Sequence, residues 1–142
     1  MILGVARQPV QRFLSGPVEA RAAILLFDQV PRNAFRNSPL AFAFDTKAAA
    51  IARAAVPSGW LRGLSVEQRQ FLLMPLMHSE RIADQRESMR RFTALGSPAI
   101  RSFALAHYRM VARFGRFPHR NAVLGRRSTR AEQRAIAAGN HW

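Results

Sequence analysis

The sequence predicts an all-α fold: about six helices joined by short loops and packed as an antiparallel array. Three observations carry this. Apolar residues recur every three or four positions in nearly every segment. No run alternates as a strand does, and no Asn-Gly hairpin turn occurs. Ser-Pro pairs and capping-box spacings punctuate the chain at helix-length intervals.

The elements follow in order. Residues 1–17 form a divergent N-terminal segment, ahead of a single helical domain at 18–142. VEARAAILLFDQV (18–30) reads as a helix that stops at Pro31. Ser38-Pro39 then supplies an N-cap and a first-turn proline. Leu40, Phe44, Ala48, Ile51 and Ala55 fall on one stripe, ended by Pro57-Ser58-Gly59. Ser65 and Gln68 have capping-box spacing, and the helix beyond carries Phe71, Leu72, Met74, Leu76 and Met77. Pro75 lies inside it and is expected to kink or break it. Polar residues run from His78 to Gly96, and Ser97-Pro98 restarts the signal. Ile100, Phe103, His107, Val111 and Phe114 form the next stripe, with His107 expected as a hydrogen-bonded core histidine. Pro118 blocks continuation of that helix. Thr129 and Glu132 give a second capping box, opening a short helix that ends near Gly139.

Composition narrows the function classes. A length of 142 residues suits one domain with its own core. The absence of cysteine rules out disulfides and thiolate metal sites, and fits a reducing compartment. The N-terminus lacks a signal-peptide pattern, and the run AAILLF (22–27) is too short to span a bilayer, so a cytoplasmic protein is expected. Net charge is +14, from 22 basic and 8 acidic residues, and Lys47 alone among the basic residues is lysine. Arginine-favouring codons in a GC-rich genome explain such a bias; so does an anionic partner. Between Glu87 and Glu132 the chain has ten arginines and no acid.

Three segments concentrate polar chemistry. In FDQVPRN (27–33), Asp28, Gln29, Arg32 and Asn33 surround Pro31, either as a helix-end latch or as part of a site. In MPLMHSERIADQRES (74–88), Glu80, Asp84 and Glu87 are spaced to share one helix face beside His78. Arg90 and Arg91 are placed to neutralise Glu87, whereas Arg116 and Arg120 are candidates to neutralise Glu80 and Asp84. No zinc-protease spacing is present, and no metal or cofactor is expected. In FGRFPHRNAVLG (114–125), Phe114 and Phe117 anchor a turn from which Arg116, His119, Arg120 and Asn121 radiate. Arginine's planar fork suits bidentate contact with carboxylate or phosphate.

Together LLFDQVPRNAFR (25–36), LLMPLMHSE (72–80) and RFGRFPHRNAVLGRRST (113–129) resemble the bacterial domain-of-unknown-function family numbered 924. The resemblance is collinear over roughly residues 20–139. It implies an all-helical fold similar to tetratricopeptide-repeat arrays, and it implies no reaction. The matching residues include Asp28, Gln29, Pro31, Arg32 and Asn33; His78, Ser79, Glu80 and Asp84; and Phe114, Arg116, Pro118, His119, Arg120, Asn121 and Gly125. Family members carry a further N-terminal helical region that residues 1–17 do not resemble. Its absence is expected to leave apolar surface at Ala22, Leu25 and Leu26 and so to favour self-association.

The site expected from these readings is one polar pocket built by Asp28, Arg32, Asn33, His78, Glu80, Asp84, Arg116, His119, Arg120 and Asn121. Its partner would be an anionic small molecule or peptide group. The rivals are a helical-repeat protein-interaction module and nucleic-acid binding through the arginine-rich C-terminal half. Against the last, the chain has no recognisable nucleic-acid motif and a single tyrosine for stacking.

Overall fold

Ser65, Ser97 and Thr129 each open a helix by accepting a hydrogen bond from a free backbone N–H. Residues 2–140 and Trp142 are described by a computed structural model, and among them the fold is all-α with no strand. The α-helices are α1 (Ile2–Ala6), α2 (Pro17–Ile24), α3 (Val30–Ala34), α4 (Asp45–Ala55), α5 (Val66–His78), α6 (Ile82–Ala94), α7 (Pro98–Phe114) and α8 (Arg130–Ala137). Six of these have eight residues or more, matching the sequence expectation. Both capping boxes form. Gln68 N–H donates to Ser65 Oγ while Ser65 N–H donates to Gln68 Oε1, and Glu132 answers Thr129 in the same way. No described helix is long and apolar enough to cross a membrane.

The core lies where α2, α4, α5 and α6 meet. Ile24, Phe27, Ile51, Leu72, Leu73, Leu76 and Phe92 are buried there. Ala48, Ala52 and Ala55 line the inner face of α4, and their small side chains bring its neighbours close. A second, smaller cluster of Met110, Val111, Phe117 and Ala135 ties α7 and α8 to the turn between them.

The prolines behave differently from expectation. Pro31 does not stop the second helix. The chain passes through one π-helical turn, Leu25–Gln29, in which Val30 N–H donates to the Leu25 carbonyl. Pro31 then sits in the first turn of α3, where its missing N–H costs nothing. Pro75 does not break α5, which runs on to His78 with the proline buried. One lost hydrogen bond is outweighed by the packing of Leu72, Leu73 and Leu76 around it. At the far end of α7 it is Gly115, at φ 72°, that turns the chain, three residues before Pro118.

Other expectations also shift. Leu40 and Phe103 are exposed, at 48% and 58%, so both fall outside the buried stripes. Glu80 lies between α5 and α6, so it shares no helix face with Asp84 and Glu87. The N-terminal segment packs back on the domain: Phe13 meets Phe27 edge to face at 5.4 Å, and Ile2, Val5 and Val10 join the same core. Leu26 is partly covered, whereas Val18 and Leu25 stay open at 67% and 47% exposure.

Phe27 joins the N-terminal segment, α2 and Phe44 of the loop before α4. Phe27→Ala is expected to lower stability by about 3–5 kcal/mol, read by urea unfolding. A midpoint equal to that of the parent chain would show that this contact is not part of the core.

Candidate functional site

Asp45 opens α4, and its carboxylate meets two arginines. Arg32 Nη1 and Nη2 donate to its two oxygens, each at 2.9 Å, and Arg120 Nη1 donates to Oδ2 at 3.0 Å. Arg32 Nη1 also donates to the Asp28 carbonyl at 2.7 Å and lies 3.0 Å from the Asp28 carboxylate. Arg120 Nη2 reaches the His78 carbonyl at 3.1 Å. The Arg120 guanidinium is held between the Phe42 and Phe117 rings, each centroid 4.5 Å away. Burial pushes the Arg120 pKa down to about 10, with Asp45 opposing, so the group stays charged at neutral pH.

The π turn places Asp28 against the end of α5. Asp28 is fully buried, and its Oδ1 lies 2.7 Å from His78 Nδ1. Burial disfavours its charged form, but His78 and Arg32 outweigh that, and its pKa is lowered. His107, from α7, is buried as expected, with Nδ1 2.8 Å from the Phe103 carbonyl and 2.5 Å from Trp142 Nε1. Burial drives its pKa down to about 3, so its ring is neutral at physiological pH.

The third segment is latched by a different arginine from those expected. Arg126 pairs bidentately with Glu80 at 2.8 and 2.9 Å, and donates to Asn121 Oδ1 and the Phe117 carbonyl. Phe117 N–H also donates to Glu80, at 2.8 Å. Burial opposes ionisation of Glu80, but these donors win and its pKa is lowered. Arg116 pairs instead with Glu132 of α8, at 2.7 and 3.0 Å, which holds that carboxyl down to about 2. Asp84 takes Arg53 at 2.7 Å and the Ser79 hydroxyl at 2.6 Å. Glu87 meets Arg90 and Arg91, as expected.

Neither Arg116 nor Arg120 therefore pairs with Glu80 or Asp84. The geometry is decided by which acid lies within reach after folding, and for Arg120 that acid is Asp45. Asn33 is exposed and bonds back to the Gln29 carbonyl, and Asn121 is buried against Ser128 and Arg126. Asn33, Asp84, Arg116 and Asn121 thus act as local latches. Asp45, Arg53 and Arg126 were missed by sequence reasoning. Asp45 lies outside all three motifs, 13 residues from Arg32 and 75 from Arg120, so no sequence signal pointed to it.

Two adjoining cavities open on either side of Phe42, His78 and Arg120. One, of about 410 Å³, is lined by Arg32, Arg36, Phe42, His78, His107, His119, Arg120 and Trp142, with no aspartate or glutamate among the described residues that line it. The Trp142 ring stacks on His119, with centroids 5.2 Å apart. The other, of about 290 Å³, has mixed charge from Asp45, Arg53, Glu80 and Arg81. The three polar segments thus converge: Asp28 and Arg32, His78 and Glu80, and His119 and Arg120 surround this one region.

The model of the family "Bacterial protein of unknown function (DUF924)" matches residues 4–140. The match takes in most of the segment read from the sequence as divergent. A solved structure of a protein of unknown function from Agrobacterium tumefaciens is similar, with 35% identity and a TM-score of 0.88. That likeness covers 97% of this chain and 78% of the other. No curated protein of known function matches.

Arg120→Ala strips Asp45 and the His78 carbonyl of a buried cation. It is expected to cost about 3–5 kcal/mol in chemical unfolding, whereas exposed Arg127→Ala should stay within about 0.5 kcal/mol. Equal, small effects would mean that Arg120 is only a surface charge. Acid should also destabilise the fold through His107. The unfolded ring takes a proton near its ordinary value of 6.5, and the folded one only near about 3. Stability is therefore lost as pH falls from 6.5 toward 3. His107→Gln should flatten that part of the unfolding midpoint against pH.

Proposed function

The chain belongs to this bacterial family of unknown function, and we propose that it binds a small anionic molecule in the cavity of about 410 Å³ beside Arg120. One observation carries the reading. Arg32, Arg36 and Arg120 line that cavity together with three histidines, and no aspartate or glutamate is among the described residues that line it. Arg32 and Arg120 are already held in place by Asp45, so an anion would meet ordered donors rather than mobile side chains. Arg36 is exposed in the loop after α3 and is the adjustable arm. On this reading Asp28, Asp45 and Glu80 are the residues that position the binding groups. A tetratricopeptide-like array and a cytoplasmic setting are part of the same proposal, the latter agreeing with the lack of cysteine.

A second reading, docking of another protein, is favoured by one feature: Val18, Ala22, Leu25 and Phe71 border an open apolar cavity of about 480 Å³. Nucleic-acid binding gains less support. Of the ten arginines between Glu87 and Glu132, five are committed to ion pairs within the fold: Arg90, Arg91, Arg116, Arg120 and Arg126.

Titration calorimetry with inorganic phosphate tests the first reading. Binding should weaken with added salt. Arg36→Ala should weaken it roughly tenfold while leaving the unfolding midpoint unchanged. Absence of binding at millimolar phosphate, or an unaltered affinity in Arg36→Ala, would overturn it.

A further inference from the structure

The Asp28–His78 pair has a role in the fold, but a fold latch does not need its geometry. His78 Nδ1 is held at 2.7 Å by a fully buried carboxylate, which fixes the proton on that nitrogen. The ring itself lines the arginine-rich cavity, and Nε2 makes no hydrogen bond to the described residues. In its neutral form, a ring with its proton on Nδ1 presents a lone pair on Nε2. The wall around it is cationic through Arg32, Arg36 and Arg120. Among the described residues, no serine, threonine, tyrosine or cysteine lines the same cavity for the imidazole to activate. A carboxylate behind one ring nitrogen, a second nitrogen with no hydrogen bond to the described residues and several guanidinium groups together suit one chemistry: nucleophilic attack on a phosphoryl group.

Resting on the anion-binding reading above, we propose that His78 Nε2 accepts a phosphoryl group from a small donor whose leaving group needs no acid, such as a phosphoramidate or an acyl phosphate. With phosphoramidate the step balances without an added proton. The Nε2 lone pair forms a bond to phosphorus, and the bond from phosphorus to the ammonium nitrogen breaks. Ammonia departs with the electron pair. The imidazole ring becomes cationic, and Asp28 faces that charge through Nδ1–H. Arg32, Arg36 and Arg120 hold the phosphoryl oxygens. Water later attacks phosphorus, the bond to Nε2 breaks, and inorganic phosphate leaves. Asp28 is a positioning residue and His78 the nucleophile.

The test uses the intact chain and phosphoramidate, with an alkaline quench and mass spectrometry to map the adduct. Phosphorylation is expected on His78, about a hundredfold faster than in the same chain unfolded in urea, and it should be slowed by inorganic phosphate. Asp28→Asn should slow it while circular dichroism remains helical. Should that variant unfold, the wild-type site map still decides. An adduct spread over His107 and His119, or formed at the unfolded rate, would overturn the proposal. So would release of phosphate with no adduct, because water would then be the nucleophile. Phosphate binding without any adduct defeats the nucleophile and leaves the binding reading standing. Loss of both defeats both.

Discussion

One carboxylate, Asp45, holds two arginines that lie 13 and 75 residues away in sequence, and the polar centre of the molecule is arranged around it. The constraint behind this is scarcity. The chain has 22 basic side chains and only 8 acids, and a buried guanidinium is costly without an anion. Six of the acids pair with arginine: Asp28, Asp45, Glu80, Asp84, Glu87 and Glu132. The other two, Glu19 and Glu67, stand in the first turns of α2 and α5, where the helix dipole favours them. With each acid placed, the positions available to a buried arginine are few.

Much of the fold was legible because its signals are local. Ser65, Ser97 and Thr129 cap helices from within three residues, and the sequence displays that spacing directly. The prolines misled because their rule is local and the outcome was not. Pro31 was absorbed by a change of helical register, and Pro75 by the packing around it. The candidate site was legible as three segments, since a cluster of donors beside a proline stands out. Its wiring was not. Arg120 and Asp45 share no motif or periodic relation, and the nearest acid in sequence is a poor guide to the nearest in space. Glu80 was misplaced for a related reason: spacing of four and seven implies a shared face only if one helix contains all three residues.

The arginines of the larger cavity differ in freedom. Arg120 is fixed by Asp45, the His78 carbonyl and two aromatic faces, and Arg32 by Asp45 and Asp28. Both have their ordering built into the folded state. A rigid wall with one movable arm, Arg36, favours a compact anion over a long one. The neutral ring of His107 and the indole of Trp142 line the same cavity.

The π turn at Leu25–Gln29 has a consequence for how such a chain can change. A π turn is an α-helix with one residue too many, and a single-codon deletion there would return the backbone to the α register, with Pro31 left inside the helix. It would also swing every later side chain of that helix by about 100°, carrying Arg32 away from Asp45. The surrounding apolar packing of Ile24 and Ala20, which precede the turn, would be untouched. Descendants that have lost the extra residue would be expected to show drift at Asp28, Arg32 and His78, and at the Phe13 and Phe44 partners of Phe27.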